Sequence, residues 1–319
     1  MKTVERSSVL DRRHEIATAV FATWVAVGLH LDVWSHINRR TETIFTPWHA
    51  IIYSGIAFGV LFFVVDGAWK GTAVRADRAT RAGFFIFVAA GIGDLIWHTI
   101  FGFEVSLRAF LSPTHLTMML GGVLMMTGPL REARLRAAAY RSFRSFAPAL
   151  VSLAAAMTLV TLFLQYLSPY NIRALDPDLY SEASGLAGVL IATAIVIGLA
   201  LFLTREFVPP LGTNIVLFAV AALSAQSIQS FFRPLHIVGA ALAGLVVDLA
   251  VRSVPEARQR MLRVAIVGPI GLWVCWLVVF ALSGGIHWPA EIPPGIVLLS
   301  MFEGLALYAV LVSPPVPTV

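Results

Sequence analysis

The sequence predicts an all-α, polytopic membrane bundle of about ten transmembrane helices with both termini cytoplasmic. Three observations predict it. Of 319 residues, 58% are hydrophobic and only 13% are charged, and the mean hydropathy is +0.82, a composition outside the range of ordinary soluble domains. Apolar runs recur along the chain at roughly twenty residues each, the length that a ~30 Å hydrocarbon core requires. Lysine and arginine also alternate from one connection to the next, as the positive-inside rule demands of a multi-pass chain.

In order, the runs fall at 17–36, 47–66, 82–102, 113–130, 146–167, 184–204, 212–229, 234–251, 263–283 and 294–312. With ten spans, 18 of the 23 basic residues lie at the N-terminus and in every second connection. Arg39, Arg40, Arg108, Arg173 and Arg233 remain on the opposite side, together with Asp176, Asp178, Glu182 and Glu291. The charged N-terminus shows no small-residue cleavage site, so no cleaved signal peptide is expected. The single cysteine, Cys275, excludes an intrachain disulfide. The net charge of +5 sits in loops on one face, where lipid headgroups are its expected partner rather than nucleic acid. The chain reads as one membrane domain, with metal-site helices over 1–131 and additional helices over 145–313. An integral, multi-pass location in a prokaryotic cytoplasmic membrane is expected.

The chemistry sits in residues 32–49. Asp32 and His36 stand four apart at the end of one apolar run, on one helix face, and His49 opens the next. Thr46-Pro47 reads as a hydroxyl N-cap followed by proline at the first helical position. The arrangement returns in residues 94–115, where Asp94 and His98 are four apart and Ser112-Pro113 precedes His115. Glu42 and Glu104 each follow their motif histidine by six residues. Ionisable side chains inside membrane spans are costly and mark metal, ion or proton sites. Two matching sets of one carboxylate and two imidazoles therefore point to metal ligation, with a proton path or structural pairing as the plainer readings. The donors suit copper, iron(II) or zinc. No thiolate is present for a cysteine-rich site, and haem ligation calls for no aspartate one turn before each histidine.

Glu42, Glu104, Trp34, Trp97 and Tyr53 are candidates to support the ligands from outside, since metal-bound imidazoles usually donate their other N–H. For the aromatics, ordinary interfacial placement is the simpler account. His14 and His30 fit interfacial or hydrogen-bonded roles. Pro234-Leu235-His236 resembles the helix starts at Pro47 and Pro113, but no aspartate and histidine pair precedes it.

Asp32, His36 and the run Phe45-Thr46-Pro47-Trp48-His49 resemble the copper-site motif of the C subunit of copper membrane monooxygenases, the particulate methane and ammonia monooxygenase family. The resemblance implies Asp32, His36 and His49 as ligands of one copper and as the catalytic centre. The second set is similar to a following segment of that subunit, implying a further metal site at Asp94, His98 and His115; Asp94 stands where the family has asparagine. The resemblance covers residues 28–121. Helices 5–10 have no counterpart in it, and the chain carries no cupredoxin-like domain of the B-subunit kind. It implies a membrane oxygenase or oxygenase subunit acting with O2 on a small apolar substrate, with other membrane subunits or further copies as partners and copper, or alternatively iron, as cofactor.

Two other functions compete. A metal or proton transporter would continue acidic and histidine residues across the bilayer, yet the inner halves of the first four spans hold only Asp66, and Asp248 near the inner end of the eighth adds no continuous path. A non-haem iron desaturase would show HxxxH and HxxHH clusters, which are absent.

Overall fold

The structure is a computed structural model describing residues 12–38, 46–69, 77–102, 110–135, 137, 140–170, 182–228, 230–231, 233–283 and 288–312, with backbone only at 63, 64 and 66–69. No strand occurs among the described residues. The helices are α1 (Arg12–Ile37), α2 (Pro47–Trp69), α3 (Arg78–Phe101), α4 (Pro113–Met126), α5 (Gly128–Leu135), α6 (Phe143–Phe163), α7 (Glu182–Glu206), α8 (Thr213–Ile228), α9 (Leu235–Arg252), α10 (Ala257–Leu282) and α11 (Ile292–Val312). Seven of them, α1, α3, α6, α7, α9, α10 and α11, are long and apolar enough to cross a membrane. Thr213–Ile228 is a shorter apolar helix, and the described side chains of α2 form an apolar stretch over Pro47–Phe62.

The run expected at 113–130 is divided. Its first helix stops at Met126, and Thr127 turns its hydroxyl back onto Val123 O at 2.6 Å. Gly128-Pro129 follows, and proline can neither donate to nor fit against the carbonyl four residues before it. A short second helix, α5, then carries Arg131.

The chain forms two compact units, residues 1–136 with 145–163, and residues 137–144 with 164–319. In the first, α1 packs on α2 and α3 on α4 as two helical hairpins. Both rely on small residues, which let helices approach closely where lipid removes any hydrophobic drive between them. A Cβ at Gly28 would lie 2.7 Å from Ile52 Cγ1, and one at Gly83 would lie 2.7 Å from Gly121 O. The hairpins and α6 share a core of Phe21, Ala22, Val25, Phe87, Met125, Met126 and Leu159, and Ser152 Oγ of α6 donates to Met126 O.

Asp77 fixes the start of α3. Its carboxylate accepts from Ala79 N at 2.8 Å and Thr80 N at 3.1 Å, and Arg131 Nη2 reaches it at 3.1 Å. Burial pushes this carboxyl up, but the Thr80 and Arg131 hydrogen bonds and the Arg131 charge outweigh it and hold Asp77 below its ordinary value. A depressed carboxyl stabilises the fold above its unfolded value, about 3.9, and that contribution is lost as pH falls through the lower folded value. Asp77→Ala is therefore expected to cost about 1–3 kcal/mol at neutral pH. Thermal unfolding in detergent should show the gap from wild type narrowing below about pH 4.

In the second unit, the core is built on Trp273, Phe218, Phe280, Ile197 and Leu201, and Trp273 Nε1 donates to Thr193 Oγ1 at 2.8 Å. Asp248 of α9 is buried but fully engaged at the start of α8. It accepts from Gly212 N at 2.8 Å, Asn214 N at 3.1 Å and Asn214 Nδ2 at 2.8 Å.

Candidate metal centre

Each hairpin of the first unit ends in one ligand set, and local helix geometry explains why. The four-residue spacing stacks Asp32 over His36 in the last turns of α1, and Asp94 over His98 in those of α3. Asp32 Oδ2 lies 3.4 Å from His36 Nε2, and Asp94 Oδ2 lies 3.2 Å from His98 Nε2. The third member comes from the first turn of the next helix. His49 Nε2 stands 3.0 Å from Asp32 Oδ1, and His115 Nε2 stands 3.4 Å from Asp94 Oδ1. In both sets one carboxylate thus divides its oxygens in the same way, Oδ2 to the histidine on its own helix and Oδ1 to the histidine across the turn.

The helix starts orient the second histidine of each set. Thr46 Oγ1 is 2.9 Å from His49 Nδ1, and Ser112 Oγ is 2.8 Å from His115 Nδ1. Ser112 also caps α4 by accepting from His115 N at 3.2 Å. Both hydroxyls occupy Nδ1 and turn Nε2 towards the carboxylate. On the α3 side, His98 Nδ1 is 3.1 Å from Gly102 O. Gly102 ends α3 at φ +75°, a left-handed conformation that glycine adopts without the usual penalty. A tautomer with Nδ1–H donating to that carbonyl leaves the Nε2 lone pair for a metal, the arrangement in which ligating imidazoles are usually held. Thr114 Oγ1 donates to Asp94 Oδ1 at 2.6 Å and fixes the carboxylate as well.

The donor set fits a metal. One ligand atom each from Asp94, His98 and His115 lies within 4.8 Å of the others, and ligands that bind at about 2.0–2.2 Å need only a modest contraction from there. In the first set, Asp32 Oδ1 is buried and, although close to His49 Nε2, makes no well-aligned hydrogen bond, an acceptor that a cation would satisfy. His98 and His115 face each other with ring centroids 5.6 Å apart. All six ligand candidates named by the sequence are therefore brought into two Asp/His/His clusters, of which Asp94, His98 and His115 form the group whose donor atoms lie close enough together to hold an ion.

Around them, Tyr53 stacks on His49 at 5.9 Å and 18°. Trp97 packs on Phe101 at 4.4 Å. Glu42, Glu104 and His287 lie outside the described residues. His30 Nδ1 is 2.7 Å from Ala26 O and His14 packs edge-on to Phe62, both structural placements. His236 is buried among Tyr170, Trp276 and Phe280, so the third proline-x-histidine start leads into an aromatic cluster and, among the described residues, joins no carboxylate. Sequence reasoning read Thr46 and Ser112 as helix caps but missed their hold on Nδ1, and it missed Thr114; a hydroxyl three residues before each histidine was the available signal.

Ser112→Ala removes both the cap and the Nδ1 partner. Metal affinity at the second set is expected to fall about 10- to 100-fold, with a stability loss of about 1 kcal/mol, readable by competition with a chelator and by thermal unfolding.

Fold and site together define an all-helical protein of multi-pass membrane type, carrying an Asp/His/His group able to hold a metal. No protein-family model, curated protein or solved structure matches the chain.

Proposed function

We propose that this protein is a membrane-embedded copper-binding oxygenase, or the copper-binding subunit of one, which activates O2 at Asp32, His36 and His49 to hydroxylate a small apolar substrate. Asp94, His98 and His115 form a second metal set of the same design. The observation carrying the reading is the duplicated triad, each a carboxylate shared by two imidazoles, together with the motif Phe45-Thr46-Pro47-Trp48-His49. Two imidazoles and one carboxylate leave coordination positions open, and iron(II) is the alternative occupant. The bound metal supplies the redox chemistry towards O2.

The chain's own residues perform the rest. Asp32 and Asp94 hold two imidazoles each and balance the cation's charge. Thr46 and Ser112 keep Nε2 rather than Nδ1 facing inwards. The apolar helices exclude water and admit an apolar substrate. Conversion of a hydrocarbon and O2 to an alcohol and water consumes two electrons and two protons, so a reductant and partner subunits or further copies of the chain belong to the reading. The ten-span topology in a prokaryotic cytoplasmic membrane, with cytoplasmic termini and the triads near the outer face, is part of the same proposal. It is supported by the sequence, in which 18 of the 23 basic residues fall at the N-terminus and in every second connection. The transporter reading is weakened by Asp248, whose carboxylate is committed to the start of α8.

Purified, copper-loaded protein given a reductant and short hydrocarbons should consume O2 and form the alcohol. Absence of turnover at an intact copper site, with the natural partners supplied, would overturn the oxygenase reading. Metal uptake into proteoliposomes would favour transport.

A further inference from the structure

Helix α11 carries a single charged residue, Glu303, midway along an apolar span. The buried face of this helix is the stripe Ile296, Ser300 and Gly304. Gly304 sits directly against Ala265 O of α10. That carbonyl is unusual, because the residue four positions on is Pro269, inside α10, which has no N–H to return to it. Glu303 adjoins Gly304 and so flanks the contact between α11 and this proline-released acceptor. Its Oε2 is buried and makes no hydrogen bond. Among the described residues no cation pairs with it. The nearest hydroxyl on its own face, Ser300 Oγ, is already given to Ile296 O at 2.8 Å. Further along α11, Arg258 Nε of α10 donates to Tyr308 OH at 3.2 Å.

A charged carboxylate at this depth has neither a cation nor an N–H to offset its desolvation, a cost of several kcal/mol. The neutral acid has a smaller cost and gains one O–H donor, beside a helix that offers an acceptor without its usual partner. We propose that Glu303 is a proton-binding site within the membrane, its carboxylate taking up one proton to become the acid and releasing it again. This site belongs to the second unit and uses none of the triad residues, so it stands or falls independently of the oxygenase reading.

Dicyclohexylcarbodiimide modifies protonated carboxyls in apolar surroundings, whereas a water-soluble carbodiimide reaches those in contact with water. The full-length protein in phosphatidylcholine vesicles at neutral pH is treated with each reagent, and the adducts are mapped by peptide mass spectrometry. The apolar reagent should place its adduct on Glu303, the yield should decline as pH is raised, and the water-soluble reagent should leave Glu303 unmodified. Glu303→Gln should abolish the adduct with bound metal unchanged; the mapping on wild type decides the matter even where that variant fails to fold. Glu303 unmodified by the apolar reagent, or modified equally by both, would overturn the proposal.

Discussion

Asp94→Ala is expected to strip about one metal equivalent from the purified protein while leaving the first set loaded. The carboxylate is the hub of its triad, with one oxygen at 3.2 Å from His98 Nε2 and the other at 3.4 Å from His115 Nε2. Removing it deletes a ligand and the anchor of both imidazoles. It also frees Thr114, whose hydroxyl holds Oδ1 at 2.6 Å. Loss of an outer partner alone typically costs 10- to 100-fold in affinity, so loss of the central ligand should exceed about a hundredfold. His98→Ala should do the same at this set, and His36→Ala at the other. Metal analysis of the three variants against wild type reads both occupancy and independence of the sets. Iron in place of copper would move the function to a non-haem iron oxygenase. Absence of metal after copper loading would sink the ligand reading altogether.

Gly121→Leu should disrupt the second set without touching a ligand. A side chain at Gly121 would begin 2.6 Å from Phe87 N and 2.8 Å from Gly83 O, which are backbone atoms that cannot rotate away. Overpacking typically costs 1–3 kcal/mol, and a clash with two backbone positions should bring the loss to about 3 kcal/mol or more. The relief available is separation of α3 from α4. Asp94 and His98 stand on the first of these helices and His115 on the second, so separation opens the triad. The variant should lose thermal stability and metal together at this set, while Gly91→Leu, where a Cβ meets nothing within 4 Å, should keep both. Metal retained at full stoichiometry in Gly121→Leu would mean that the triad is positioned by its turns alone.

The parts of this protein that were legible in the sequence are those governed by short-range rules. Composition and run length gave a helical membrane bundle. The four-residue spacing gave Asp32 with His36 and Asp94 with His98 on common faces, and the hydroxyl-proline starts put His49 and His115 in first turns. These relations span four residues or fewer, the reach of helical periodicity and capping. Tertiary structure decided what lies beyond that reach. It brought His115 back to Asp94 across the 17 residues that separate it from His98, aimed the Thr46 and Ser112 hydroxyls at Nδ1, and clamped Asp77 with Arg131, 54 positions away. Packing against Thr80 and the Gly128-Pro129 junction divided the run at 113–130, and α11 met α10 through Gly304 at the carbonyl that Pro269 leaves without its helical partner. Hydrophobicity records how much of a helix is apolar, but it carries no information about which neighbour a helix meets. Only that meeting determines which polar groups find partners.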